Sequence, residues 1–160
     1  MIKLPKESYS EEQIRQWLEA VTDPEIPVIS IADLGVLEAV IVTSDRVVIE
    51  IIPTYSGCPA MYAIRQDIIE NLHIHGVENV TVVVKNQPAW NTDRMTEKGK
   101  ENLKKYGIAP PQSGSNPLIV CPQCGSQDTT CVSQFGSTPC KALYRCQSCL
   151  EPFDYFKCHV

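Results

Sequence analysis

Apolar positions along this chain switch between a helical period and a strand period. Ile14, Trp17, Leu18 and Val21 fall at i, i+3, i+4 and i+7, the stripe of an amphipathic helix. Ser10 stands where an N-cap would, with Gln13 three residues on as the return arm of a capping box. Tyr9 and Ile14 sit at hydrophobic-staple spacing. Pro24 and Pro27 bar continuation of the helix, so residues 23–28 read as a turn or extended loop. The β-branched runs 36–43 and 47–52 flank Ser44, Asp45 and Arg46 and predict a hairpin. Pro53 ends it, and the loop 54–59 contains Gly57 for unusual backbone angles and Pro59 at a helix start. Met61, Ile64, Ile68 and Leu72 supply the buried face of a second helix. A third strand is expected over 77–85 and a third helix over 96–106. Lys104 and Lys105 suit the C-terminus of that helix, and Gly107 suits the residue that follows. The order α-β-β-α-β-α predicts an α+β domain, a small sheet covered by helices.

Composition changes after that point. Residues 108–117 include Pro110, Pro111 and Pro117 and show no apolar period, which marks a boundary. The expected organisation is a domain over 8–107, a proline-rich linker over 108–117 and a small module over 118–160. The 160 residues carry 14 Lys and Arg against 19 Asp and Glu, a net charge of −5. That balance argues against a nucleic-acid partner, which normally meets a basic excess. No apolar run reaches the ~18 residues of a membrane span. Residues 1–7 lack the apolar stretch of a signal peptide, so a cytoplasmic location is expected.

Eight cysteines then change the picture, because seven of them follow residue 120. In a reducing compartment, clustered thiols point to metal or redox chemistry rather than to a disulfide framework. Cys121 with Cys124, and Cys146 with Cys149, form two C-x-x-C pairs. Each pair can grip one edge of a tetrahedral ion, and the two together complete a closed four-cysteine site for structural Zn2+. Redox disulfides or an Fe–S centre are the alternatives. Short strands over 129–135, 143–145 and 153–156 fit a three-stranded zinc ribbon. A module of roughly 40 residues buries too little surface to fold alone, so the metal is expected to hold it. A closed site has no open coordination position and is not itself catalytic.

Cys58 stands alone in the first domain, at the predicted start of a helix. Backbone N–H groups and the helix dipole there are expected to lower its pKa and to make it a metal ligand, a nucleophile or a sulfur-handling residue. The plainer alternative is a small buried cap residue. Cys131, Cys140 and Cys158 lie outside the C-x-x-C pairs, and His159 follows Cys158. Cys58, Cys140 and Cys158, with His159, are candidates for a second metal site, against the alternative of ordinary buried thiols. His73 and His75 are poorly spaced for joint ligation and read as surface residues. Asp23 and Glu25 could form a carboxylate pair, but turn and cap roles are the plainer account. No phosphate-binding glycine motif, no H-E-x-x-H and no G-x-S-x-G occurs.

Two stretches carry a resemblance. Asp23-Pro24-Glu25-Ile26-Pro27-Val28 with Asp33-Leu34-Gly35, followed by Thr54-Tyr55-Ser56-Gly57-Cys58-Pro59-Ala60, resembles the metal–sulfur cluster assembly family that includes SufT. The segments 135–146 and 151–158, with Pro88-Ala89-Trp90, resemble the D-subunit family of bacterial phenylacetyl-CoA ring-1,2-epoxidases. The resemblance implies an accessory role in phenylacetate degradation, serving the oxygenase and reductase subunits by maturing their Fe–S or iron centres. It implies a transiently held iron ion or Fe–S cluster, with Cys58 as the functional thiol. A structural interaction subunit with inert thiols, or a Cys58-dependent thiol redox or persulfide-transfer enzyme, are the rival readings.

Overall fold

A computed structural model of the chain describes residues 8–112 and 116–157. Helix α1 spans Glu11–Leu18, and Ser10 Oγ accepts the Gln13 backbone N–H at 3.1 Å, as the capping signal predicts. Ile14 and Leu18 are fully buried. Tyr9 packs against the core that contains Ile14; its ring meets Trp17 edge-on and its hydroxyl donates to Gly76 O.

The hydrophobic pattern does not announce a short helix, α2 (Ile31–Leu34). It is too brief for a period to show. It starts on Ser30, whose Oγ accepts the Asp33 N–H, and it stops at Gly35. Gly35 has φ +81°, and a Cβ there would lie 2.5 Å from the Arg94 carbonyl oxygen, so only glycine fits.

Strands β1 (Leu37–Val42) and β2 (Val47–Ile51) form the antiparallel hairpin. Helix α3 (Ala60–Ile74) then crosses over to β3 (Val80–Val84), which pairs parallel to β2. The sheet order is β1-β2-β3. Ile49 and Ile51 of β2 meet Ile64, Ile68 and Leu72 of α3 in one core, all nearly inaccessible to solvent. Helix α4 (Glu97–Lys105) starts at a Thr96 cap and is followed by Gly107 at φ +90°.

The expected linker needs correction at its start. Ile108–Ala109 forms strand β4, parallel to β7 (Pro152–Phe156). With β5 (Thr129–Ser133) and β6 (Lys141–Cys146) they build a four-stranded sheet ordered β4-β7-β6-β5, one strand more than a three-stranded ribbon. Both residues of β4 are buried, which outweighs the prolines that follow them. Ile108 belongs to the larger core and Ala109 to the ribbon's own small core. Phe156 and Cys140 of the ribbon are also buried in the larger core. The two units therefore share packing. Among the described residues, no helix is long and apolar enough to cross a membrane.

Candidate metal and thiol sites

The C-terminal site is built by two matching turns. Cys121–Cys124 and Cys146–Cys149 each fold back so that a residue in the left-handed region follows the second cysteine: Gly125 at φ +77° and Leu150 at φ +67°. Gly125 N–H donates to Cys121 O, and Cys121 N–H donates to Ser126 O. The four Sγ atoms lie within 4.8 Å of one another. Cys121 and Cys149 are 3.8 Å apart, and Cys124 and Cys146 are 3.5 Å apart. Four sulfurs ~2.3 Å from a tetrahedral ion lie about 3.8 Å from one another, so these thiols have the spacing of a closed metal site. The backbone N–H of Cys149 points at Cys146 Sγ at 3.4 Å. That donor, with the N–H of Ser148, lowers the Cys146 thiol, while the neighbouring cysteine thiols raise Cys149, so without a cation the cluster favours a thiolate at Cys146 and a thiol at Cys149. The sequence-predicted ligands Cys121, Cys124, Cys146 and Cys149 are thus brought together by the fold.

The second group of residues lies where the ribbon meets the N-terminal domain. Cys58 is buried just ahead of α3, with its N–H donating to Tyr55 O. The Ala60 N–H and the Tyr55 hydroxyl both favour its thiolate, as the helix-start argument anticipates. The expected lowering of its pKa is nevertheless reversed. Burial raises it, and the Glu25 and Asp23 carboxylates raise it further. Cys140 comes from the turn before β6 and is buried in the same core. Its Sγ is 3.1 Å from Thr138 Oγ1 and 3.8 Å from Glu25 Oε2. Burial, reinforced by the Glu25 and Asp23 carboxylates, pushes this thiol up to about 11. The Tyr55 hydroxyl is raised as well, by burial first and then by Cys58, Glu25 and Cys140. Glu25 and Cys140 are in contact, and Cys58 and Cys140 are buried in one core against which Tyr55 packs.

Asp23 and Glu25 have different roles. Asp23 Oδ1 accepts the N–H groups of Glu25 at 2.8 Å and Ile26 at 3.0 Å, the turn role read from the sequence. Glu25, framed by that turn, directs its carboxylate at Cys140, 115 residues away in the chain. Sequence reasoning offers Glu25 only as half of a carboxylate pair with Asp23 and prefers turn and cap roles; its meeting with Cys140 has no local signal. Lys141, beside Cys140, is buried and acts electrostatically on Asp23. His73 and His75 are exposed, and His75 stacks on Trp17. Cys131 lies on β5, away from this group, beside Tyr144. Cys158 and His159 lie outside the described residues.

A buried thiol with a raised pKa reacts slowly. With a pKa of about 11, the thiolate fraction of Cys140 at pH 7 is ~10⁻⁴, against ~3% for an unperturbed cysteine. Iodoacetamide should therefore label Cys140 at least ~100-fold more slowly than a cysteine in an unstructured peptide. The rate should still climb above pH 9, as read by peptide mass spectrometry. Labelling at the peptide's rate would contradict the buried, carboxylate-facing placement.

Comparison with known proteins agrees with both halves of the geometry. The chain is 49% identical over 146 residues to a protein of Escherichia coli (strain K12) that is provisionally named as the D-subunit of 1,2-phenylacetyl-CoA epoxidase; the match covers 88% of each chain. This chain belongs to the same D-subunit family, PaaD. Residues 109–157 match the PaaD zinc beta ribbon domain, which starts at β4. Residues 11–84 match the family described as iron-sulfur cluster assembly protein. A protein from Porphyromonas gingivalis (strain ATCC BAA-308 / W83), named Fe-S protein maturation auxiliary factor, is 36% identical over 96 residues, covering 59% of this PaaD-family chain and 90% of its own. Among solved structures, a domain of unknown function from Bacillus anthracis aligns with a TM-score of 0.54 and 31% identity, covering 58% of this chain and 90% of that one. A conserved hypothetical protein from Thermotoga maritima aligns with a TM-score of 0.51 and 26% identity, covering 62% and 96%.

Proposed function

We propose that this protein is the accessory subunit of a phenylacetyl-CoA ring-1,2-epoxidase, acting in the cytoplasm in phenylacetate degradation, and that it matures the iron or Fe–S centres of the oxygenase and reductase subunits. The observation that carries this reading is the docking of the ribbon, which buries Cys140 against Glu25 in the core that also holds Cys58. In this reading the four-cysteine site holds Zn2+ as a structural ion, which fits four thiols at tetrahedral spacing. Its closed geometry makes it a scaffold. The cargo, iron or a cluster, belongs at Cys58.

The thiol chemistry favours a carrier over an exchange enzyme. A thiol that attacks disulfides works best with a pKa near ambient pH. Burial and the nearby carboxylates shift Cys58 and Cys140 upward, away from that optimum. A cation reverses the cost: it replaces the proton on each sulfur and neutralises the carboxylates that raise the thiols. The relatives' names support the same direction, one through the epoxidase and the other through Fe–S maturation.

The test is to produce the oxygenase and reductase subunits in cells that contain the wild-type protein, the Cys58→Ser variant or neither. Iron and acid-labile sulfide are then measured in the purified partners. Cys58→Ser should leave the partners as poor in iron or sulfide as in cells lacking the protein, and epoxidation should fall with them. Partners that are fully loaded in the Cys58→Ser strain would sink this reading.

A further inference from the structure

We infer that Cys58, Cys140 and Glu25 together form an open, mixed thiolate–carboxylate site for a single divalent metal ion, assembled only when the ribbon docks on the N-terminal domain. This deepens the maturation reading, and rests on it for the identity of the cargo as ferrous iron. Cys58 is supplied by the loop before α3, Glu25 by the loop after α1 and Cys140 by the turn before β6. No one of these elements is a site by itself. Cys140 Sγ lies 3.8 Å from Glu25 Oε2, and Cys58 is buried in the same core as Cys140. The Tyr55 hydroxyl is a hydrogen-bonding neighbour of Cys58 and interacts electrostatically with both Glu25 and Cys140.

The donor set decides the ligand class. Two sulfurs and one carboxylate fall short of the four thiolates that usually hold an Fe–S cluster. They suit one borderline divalent ion and leave coordination positions open, as a site that must surrender its ion requires. Asp23 is not counted as a ligand, because its Oδ1 is committed to the N–H groups of Glu25 and Ile26. Its role is to hold the loop that aims Glu25. Among the described residues only the four ribbon cysteines already lie within mutual ligating distance. The interdomain group must therefore close around its ion, with the two S–H protons released to solvent and no electron transferred.

The probe is Co2+, added anaerobically to the full-length, zinc-loaded protein, so that the ribbon is already filled. Wild type should bind one equivalent of Co2+ beyond zinc, with thiolate-to-cobalt charge-transfer absorption. Cys58→Ser and Cys140→Ser should each weaken binding and reduce that absorption. Glu25→Gln keeps the side-chain shape. It should weaken binding by at least the ~10–100-fold that loss of even a supporting residue costs a metal site, with an unchanged thermal melt. Cys131→Ser, outside the group, should bind as wild type does. No Co2+ bound beyond the zinc, or full affinity in both Cys140→Ser and Glu25→Gln, would overturn the site. The two readings fail separately. If Cys58→Ser starves the partners of iron while Glu25→Gln and Cys140→Ser bind Co2+ normally, maturation stands and this ligand set falls. If the Co2+ dependence holds but the partners load normally in the Cys58→Ser strain, the site stands and the maturation role falls.

Discussion

Removing the metal from Cys121, Cys124, Cys146 and Cys149 should unfold the ribbon and leave the N-terminal domain folded. The ribbon's own core consists of Ala109, Ile119, Cys121, Ala142, Cys146, Phe153 and Tyr155, so two of its seven buried residues are the ligands themselves. So small a core cannot offset the chain entropy of ordering the module. Structural zinc sites contribute ~10–16 kcal/mol of apparent binding free energy at pH 7, which exceeds what the remaining apolar contacts supply. The larger core contains none of the four ligands. Chelation, or the single change Cys124→Ser, should therefore abolish the β5–β7 contribution to circular dichroism and release one metal per chain. The helical signal of α1 and α3 should persist. An unchanged spectrum and metal content in Cys124→Ser would show that these thiols do not hold the ribbon.

Truncating Phe156 should separate the two units without unfolding either. Phe156 is the last residue of β7 and is only 1% exposed, yet it is buried in the larger core and not in the ribbon's. Its ring meets Trp90 edge-on at 5.9 Å, and Trp90 Nε1–H is fixed by the Leu34 carbonyl at 2.9 Å. A Phe→Ala change at such a site costs about 3–5 kcal/mol, and here the loss falls on the docked arrangement. Phe156→Ala should split thermal unfolding into two transitions. It should also expose Cys140 to alkylation while metal-bound Cys124 stays protected. A single transition with Cys140 still protected would show that β4 and the remaining contacts suffice for docking.

The docking explains why the two cysteine groups differ in how well the sequence reveals them. The C-x-x-C pairs are local. A turn of four residues places two sulfurs together wherever it occurs, so spacing alone identifies Cys121, Cys124, Cys146 and Cys149. The cap at Ser10 and the hairpin around residues 43–46 are local too, since side chain and partner lie within a few residues of one another. Cys58 is legible as a helix-start cysteine, but its protonation state is not. The helix-end donors are short-range and visible in the sequence, whereas the burial and the carboxylates that outweigh them arrive through the fold.

What the chain determines by itself is everything set by neighbours in sequence: the longer helices, the hairpin, the paired cysteine turns and the position of Cys58. Periodicity, capping and ligand spacing act over a handful of residues. The tertiary structure alone decides that Ile108–Ala109 joins the ribbon sheet, that Phe156 anchors the ribbon, and that Glu25 meets Cys140 across 115 residues. These contacts have no local signature, because the free energy that forms them comes from burying apolar surface between distant segments, and that surface exists only once both units have folded.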